Sequence, residues 1–130
     1  MTIRHVFVTR LFQDMSGQVA QAPGTIYVEL DQTLRAMIDF SAIRGTRARV
    51  VVSAQGNEAG DSKGIEVYLN GVAQVCEVTW NGNALQVCLA GSWTALVGYG
   101  TDLTLQVDVK ASSATENITV YTVDLEIEYY

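Results

Sequence analysis

Proline occurs once in this chain, at Pro23, histidine once, at His5, and lysine only twice, at Lys63 and Lys110. Each scarcity removes a class of chemistry. With one histidine and two cysteines, Cys76 and Cys88, that are not spaced as CxxC, a single chain cannot assemble a four-ligand Cys/His zinc site. GxSxG is absent, and the lone histidine sits in the apolar stretch RHVFV, so nucleophilic hydrolysis is not indicated. His5 reads as a packed or surface-strand residue. GDSKG, at 60–64, lacks the spacing and following helix of a phosphate loop. No apolar run is long enough for a membrane helix. The opening MTIRHVFVTR has Arg4 and Arg10 and no apolar core, so synthesis in the cytoplasm without a secretory leader is expected.

Charge is sparse too. Only 17% of residues are charged against 48% hydrophobic, which excludes wholesale disorder. The net charge of −6 argues against nucleic acid and anionic membrane as partners, and the lack of an apolar span against membrane insertion. Residues 1–50 hold six arginines against four acids, whereas residues 51–130 hold two lysines against ten. That asymmetry is either solvated faces or opposite patches that guide sheet packing and subunit contact.

What remains is strand material. Val and Thr are abundant and 11 glycines punctuate the chain. In TIYVEL, Ile26, Val28 and Leu30 oppose Tyr27 and Glu29; in TRARVVVSAQ, Ala48, Val50, Val52 and Ala54 oppose Arg47, Arg49 and Ser53. In GIEVYLNG, Ile65, Val67 and Leu69 oppose Glu66 and Tyr68; in DLTLQVDVK, Leu103, Leu105, Val107 and Val109 oppose Thr104, Gln106, Asp108 and Lys110. The segment 33–43 alternates as a strand but also fits a helical stripe through Leu34, Met37, Ile38 and Ser41; the strand takes precedence. The tail changes parity between Ile118/Val120 and Val123/Leu125/Ile127, which calls for either a bulge near Tyr121 to Val123 or a strand that passes from one environment to another. Period-two runs separated by Gly/Asn/Asp/Ser turns predict one all-β domain over 1–130, an antiparallel two-sheet sandwich of eight or nine strands.

The stretch VCEVTWNGNALQVCLAG holds both cysteines. Asn81-Gly82 is a hairpin signal, and a two-residue turn there pairs Val78 with Leu85 and Cys76 with Val87. Cys88 then points to the opposite face, so the two thiols are expected to be free.

Three constellations are candidates for function. Asp124, Glu126 and Glu128 share a face of the last run, where they form a solvated acidic stripe, guard an edge, or meet Arg47 and Arg49 within the fold or across a subunit contact. As a glycosidase pair they rank last. The polar stretch 54–64 offers Asn57, Glu58, Asp61 and Ser62 as oxygen ligands for calcium, without EF-hand spacing. It reads first as a plain loop, and no cofactor is expected. Tyr27, Tyr68, Trp93 and Tyr99 lie at polar or Gly-rich positions where rings stack on sugars or anchor interfaces. Trp80 reads as core, and Trp93 as either sheet-end packing or a contact surface. Asn117-Ile118-Thr119 is a glycosylation sequon that matters only in a eukaryotic secretory setting.

The strand cadence over 25–130 resembles jelly-roll β-sandwich modules, both carbohydrate-binding modules and accessory or decoration domains of phage and virus particles. A chain that starts at Met1 without a leader and ends within its last strand is more similar to the virion group. The resemblance implies a non-enzymatic structural protein at a virion surface, a homo-oligomer working through multivalent protein contacts. The alternative it implies is a glycan-binding module using Tyr68, Trp93 and Tyr99, with calcium at Asn57, Glu58 and Asp61.

Overall fold

A computed structural model describes residues 5–21, 28–29, 36–39, 45–70, 74–95, 102–113 and 115–129. The regular structure among them is entirely β: β1 (His5–Gln21), β2 (Val28–Glu29), β3 (Ala36–Asp39), β4 (Gly45–Gly56), β5 (Ser62–Asn70), β6 (Gln74–Asn81), β7 (Gln86–Ala90), β8 (Thr94–Ala95), β9 (Asp102–Ala111) and β10 (Asn117–Tyr129). One sheet runs β1-β10-β4-β7, with β8 also on β4; the other runs β2-β9-β5-β6, with β3 also on β9. Since β7 and β8 share one flank of β4, and β2 and β3 one flank of β9, each sheet has four strand positions, eight in all. All described pairs are antiparallel.

The inner faces follow the alternation. Ala48, Val50, Val52 and Ala54 of β4, with Ile65 and Val67 of β5, expose no surface, and Leu105, Val107 and Val109 of β9 expose 1% or less. Tyr68 and Gln106 face outward, half-buried. The change of parity in β10 is a bulge: Val120 pairs with Ala54 and Thr122 with Ser53, so Tyr121 is the extra residue. Ile118 and Val120 before it, and Val123, Leu125 and Ile127 after it, are thereby all buried. In β1, Arg10 and Phe12 pair with the consecutive residues Asp124 and Val123, so Leu11 and Phe12 both turn inward. Ala36–Asp39 is strand, as expected for part of 33–43; the rest of that segment, with Tyr27 and Tyr99, lies outside the described residues.

Two expectations fail. The β6–β7 hairpin does not exist, because β6 pairs with β5 and β7 with β4 in the opposite sheet. A type I′ turn needs positive φ at both central residues. Gly82 has φ 87, but Asn81 is not among the positive-φ residues and instead extends β6. Residues 82–85 carry the chain from one sheet to the other. The pairings expected for Leu85 and Val87, with Val78 and Cys76, are lost with the hairpin: these two are 51% and 69% exposed, whereas Val78 and Cys76 are buried. A bulge re-aims β7: Leu89 pairs with Val52 and Gln86 with Ala54, so Val87 and Cys88 together oppose Ser53. Cys88 sits at φ 50, and its N–H donates to Ser53 Oγ at 3.1 Å. The cysteines are free as expected, for a different reason: buried Cys76 and exposed Cys88 belong to different sheets. The polar loop is also shorter than the stretch 54–64, because β4 runs to Gly56 and β5 starts at Ser62.

Candidate functional site

The connection 57–61 closes over a buried cation. Lys63 shares the inward parity of Ile65 and Val67, and Glu116 that of Ile118 and Val120, so two opposite charges enter the core end together; both are fully buried. Lys63 Nζ donates to the carbonyls of Glu58 at 2.6 Å and Asp61 at 2.9 Å and to Asp61 Oδ1 at 3.0 Å. Glu116 Oε2 lies 3.6 Å away. Glu116 also accepts the N–H groups of Asn57 at 2.6 Å and Glu58 at 3.0 Å. Asn57 Oδ1 accepts the N–H of Asn117 at 2.8 Å, and Glu58 accepts from Thr115. Desolvation works against the Asp61 charge, but the hydrogen bond and charge of Lys63 outweigh it and hold the carboxyl below its ordinary range. Burial pushes Glu116 upward. Gly56 is required here, since a Cβ would overlap Lys63 Cε and Glu116 Oε1.

Glu58, Asp61 and Glu116 place carboxylate oxygens within 4.8 Å of one another. The Lys63 ammonium bonds to two oxygens of Asp61 and faces Glu116, as a bound cation would. Sequence reading named Asn57, Glu58 and Asp61 but missed Lys63 and Glu116. The signal was there, as charged residues on inward parities at strand ends.

The outer face of the first sheet carries a ladder of ion pairs. Arg10 bonds Asp124 across β1–β10. Arg49 Nε meets Glu126 Oε2 at 2.6 Å and Arg47 Nη2 meets Glu128 Oε2 at 2.8 Å, both across β10–β4. The basic first half and the acidic second half thus meet within one chain. Both guanidinium groups also lie over Trp93, 4.7 Å (Arg47) and 4.6 Å (Arg49) from the ring centroid, and the ring is half-buried. Trp80 is core, at 8% exposure. His5 is exposed and stacks on Tyr129.

The outer face of the second sheet carries the opposite pattern. Glu77 pairs with Glu66 and Glu66 with Asp108, a row of three acids across β6-β5-β9. Burial, then the hydrogen bond to and charge of Asp108 and the charge of Glu77, push the Glu66 carboxyl up to about 8. Gln106 donates to Asp108 Oδ1 at 2.8 Å, and Lys110 Nζ lies 3.7 Å from Glu77. Among the described residues, no helix is long and apolar enough to cross a membrane.

Two antiparallel four-position sheets joined by crossing connections define a jelly-roll β-sandwich. No protein-family model matches the chain, and no curated protein does. Among solved structures it is similar to a carbohydrate-binding module, CBM36, in complex with calcium and xylotriose: TM-score 0.53, 12% identity, 92% of this chain and 98% of that one. It is also similar to the Eiger TNF structure from S. frugiperda, with TM-score 0.50, 7% identity, and coverage of 96% and 93%. The VP2 subviral particle of infectious bursal disease virus gives TM-score 0.41 at 15% identity over 97% of this chain and 37% of that one. At these identities the first two show a shared fold and nothing finer.

Proposed function

We propose that this protein is a non-enzymatic structural module that assembles with copies of itself through the β1 edge of the first sheet. One observation carries the reading. β1 is a 17-residue edge strand that, among the described residues, pairs only with β10, and it leaves Val6 52% and Val8 54% exposed. An edge of this length offers unpaired backbone groups to another strand, and natural proteins usually blunt such edges with inward charge or proline. A second β1 supplies the matching backbone and apolar side chains. The adjoining acids at 124, 126 and 128 are neutralised by Arg10, Arg49 and Arg47, so the flank does not repel a copy of itself. Tyr68 and Trp93 are further candidate contacts. The setting, a phage or virus particle surface, rests on the sequence resemblance alone. Multi-angle scattering across micromolar concentrations should show oligomers, and Val8→Lys should yield a folded monomer. A wild-type protein that stays monomeric throughout overturns the reading.

A glycan-binding module is the second reading, favoured by the Trp93 ring, which stays partly exposed with the guanidinium groups of Arg47 and Arg49 over it. Its candidate stacking residues are Tyr68, Trp93 and Tyr99. Loss of glycan-array signal in Trp93→Ala tests it.

A further inference from the structure

We propose that a groove on the outer face of the first sheet, at the end of β4 and β10 away from the ion pairs, binds an uncharged saccharide. The inference deepens the second reading and places its ligand on residues other than the aromatic rings.

The groove follows from register. Val19 of β1 pairs with Thr119 of β10, and Thr119 with Gln55 of β4, so three outward side chains stand in one row across the sheet. Asn83, in the connection that crosses between the sheets, borders the row beyond Gln55, and Asn57 and Asn117 close its end. The open groove has a volume of about 440 Å³, within the roughly 300–1,000 Å³ of small-ligand sites.

Its chemistry is uniform. No lining side chain bears a charge: three asparagines, one glutamine and one threonine surround a single valine and Gly56. Several of these groups are already held in place. Gln55 Nε2 donates to the Asn83 carbonyl at 3.0 Å, which leaves Gln55 Oε1 as a fixed acceptor. Asn57 Oδ1 accepts the Asn117 N–H at 2.8 Å, which fixes the amide and leaves its NH₂ as the group available to donate. Asn83 is exposed, and its side-chain amide supplies both functions.

Other ligand classes fit poorly. A phosphate or carboxylate would find no cation in the lining, on a chain of net charge −6. An apolar ligand would strip water from the amides without replacing their hydrogen bonds. A strand-like peptide needs a sheet edge, and a helical or polyproline one an apolar or aromatic groove, whereas this groove lies on a sheet face with Val19 as its one large apolar side chain. A neutral sugar offers hydroxyls that both donate and accept, plus a C–H face to set against Val19.

The test uses the intact chain, with xylohexaose, cellohexaose and mannohexaose as neutral probes and a galacturonate hexamer as the acidic comparison. Amide NMR shifts should change at Val19, Gln55, Asn83 and Thr119 with a neutral probe and stay unchanged with the acidic one. Asn83→Ala, at an exposed position, and Gln55→Ala should each weaken calorimetric affinity about five- to tenfold, the worth of one hydrogen bond. If a neutral sugar binds and these variants bind equally well while Trp93→Ala does not, the groove is wrong and the glycan reading stands. If a neutral probe moves amides elsewhere but none in the groove, the groove alone falls; if no neutral probe moves any amide of the chain, the groove and the glycan reading fall together, and the assembly reading is untouched.

Discussion

Lys63 Nζ lies 3.6 Å from Glu116 Oε2, and both side chains are completely buried. Removing two charges from water costs several kcal/mol each, and their attraction offsets that only when the remaining protons and lone pairs are also satisfied. Here they are, through the carbonyls of Glu58 and Asp61 and the N–H groups of Asn57 and Glu58. The pair fastens the 57–61 connection to the start of β10.

Replacing only one partner should therefore be costly. Lys63→Met leaves Asp61 and Glu116 facing each other and should lose about 3–5 kcal/mol in urea unfolding. Lys63→Met/Glu116→Gln should recover much of that loss. Calcium should raise the melting temperature of Lys63→Met, whose oxygens then lack a cation, and should leave the wild type unchanged. A wild type stabilised by calcium and destabilised by chelator would show that Lys63 does not fill this role.

Stability should fall toward alkaline pH because of Glu66. Folding raises this carboxyl from 4.5 to about 8, so between those values the folded chain binds a proton that the unfolded chain has released. Its stabilising contribution is complete below pH 4.5 and lost as pH rises through about 8. Glu66→Gln should flatten that slope and stabilise the protein above pH 8, by roughly 1 kcal/mol after allowance for solvent screening. Melting curves collected between acidic and alkaline pH will show whether the slope is lost.

The two thiols should differ sharply in reactivity. Cys76 is buried and its thiol is pushed up to about 11, whereas Cys88 is exposed. Iodoacetamide on the native protein should add one group, at Cys88. Denaturing, non-reducing conditions should add two, and intact mass reads both results.

Cys88 should also be sensitive to side-chain branching. At φ 50 a β-branched residue is strained, so Cys88→Val should destabilise by about 1–2 kcal/mol. Cys88→Gly should be close to neutral, because relief of strain offsets glycine's roughly 0.5–1 kcal/mol entropy cost. Equal stabilities for the two variants would contradict the bulge at this position.

Much of the inner surface was legible in the chain. Alternation assigned Ala48 to Ala54, Ile65, Val67 and Leu105 to Val109 to the core, and of the two explanations for the parity change the structure shows the bulge, at Tyr121. The β6–β7 pairing was misread because a turn dipeptide reports local backbone preference, and Gly82 serves a crossing between sheets as readily as a hairpin. Lys63 and Glu116 went unread because charge was taken as a sign of exposure, although their parity pointed inward.

Alone, then, the order of residues determined which side of the regular ribbons, such as β4, β5 and β9, faces inward, since without a bulge that depends only on the two-residue repeat of an extended backbone. The choice of neighbour for each ribbon belonged to the folded chain: most connections here cross between sheets, so partners come from distant segments. The buried ammonium–carboxylate pair, the arginines over Trp93 and the amide-lined groove all depend on that choice. Each joins residues that only three-dimensional packing brings together.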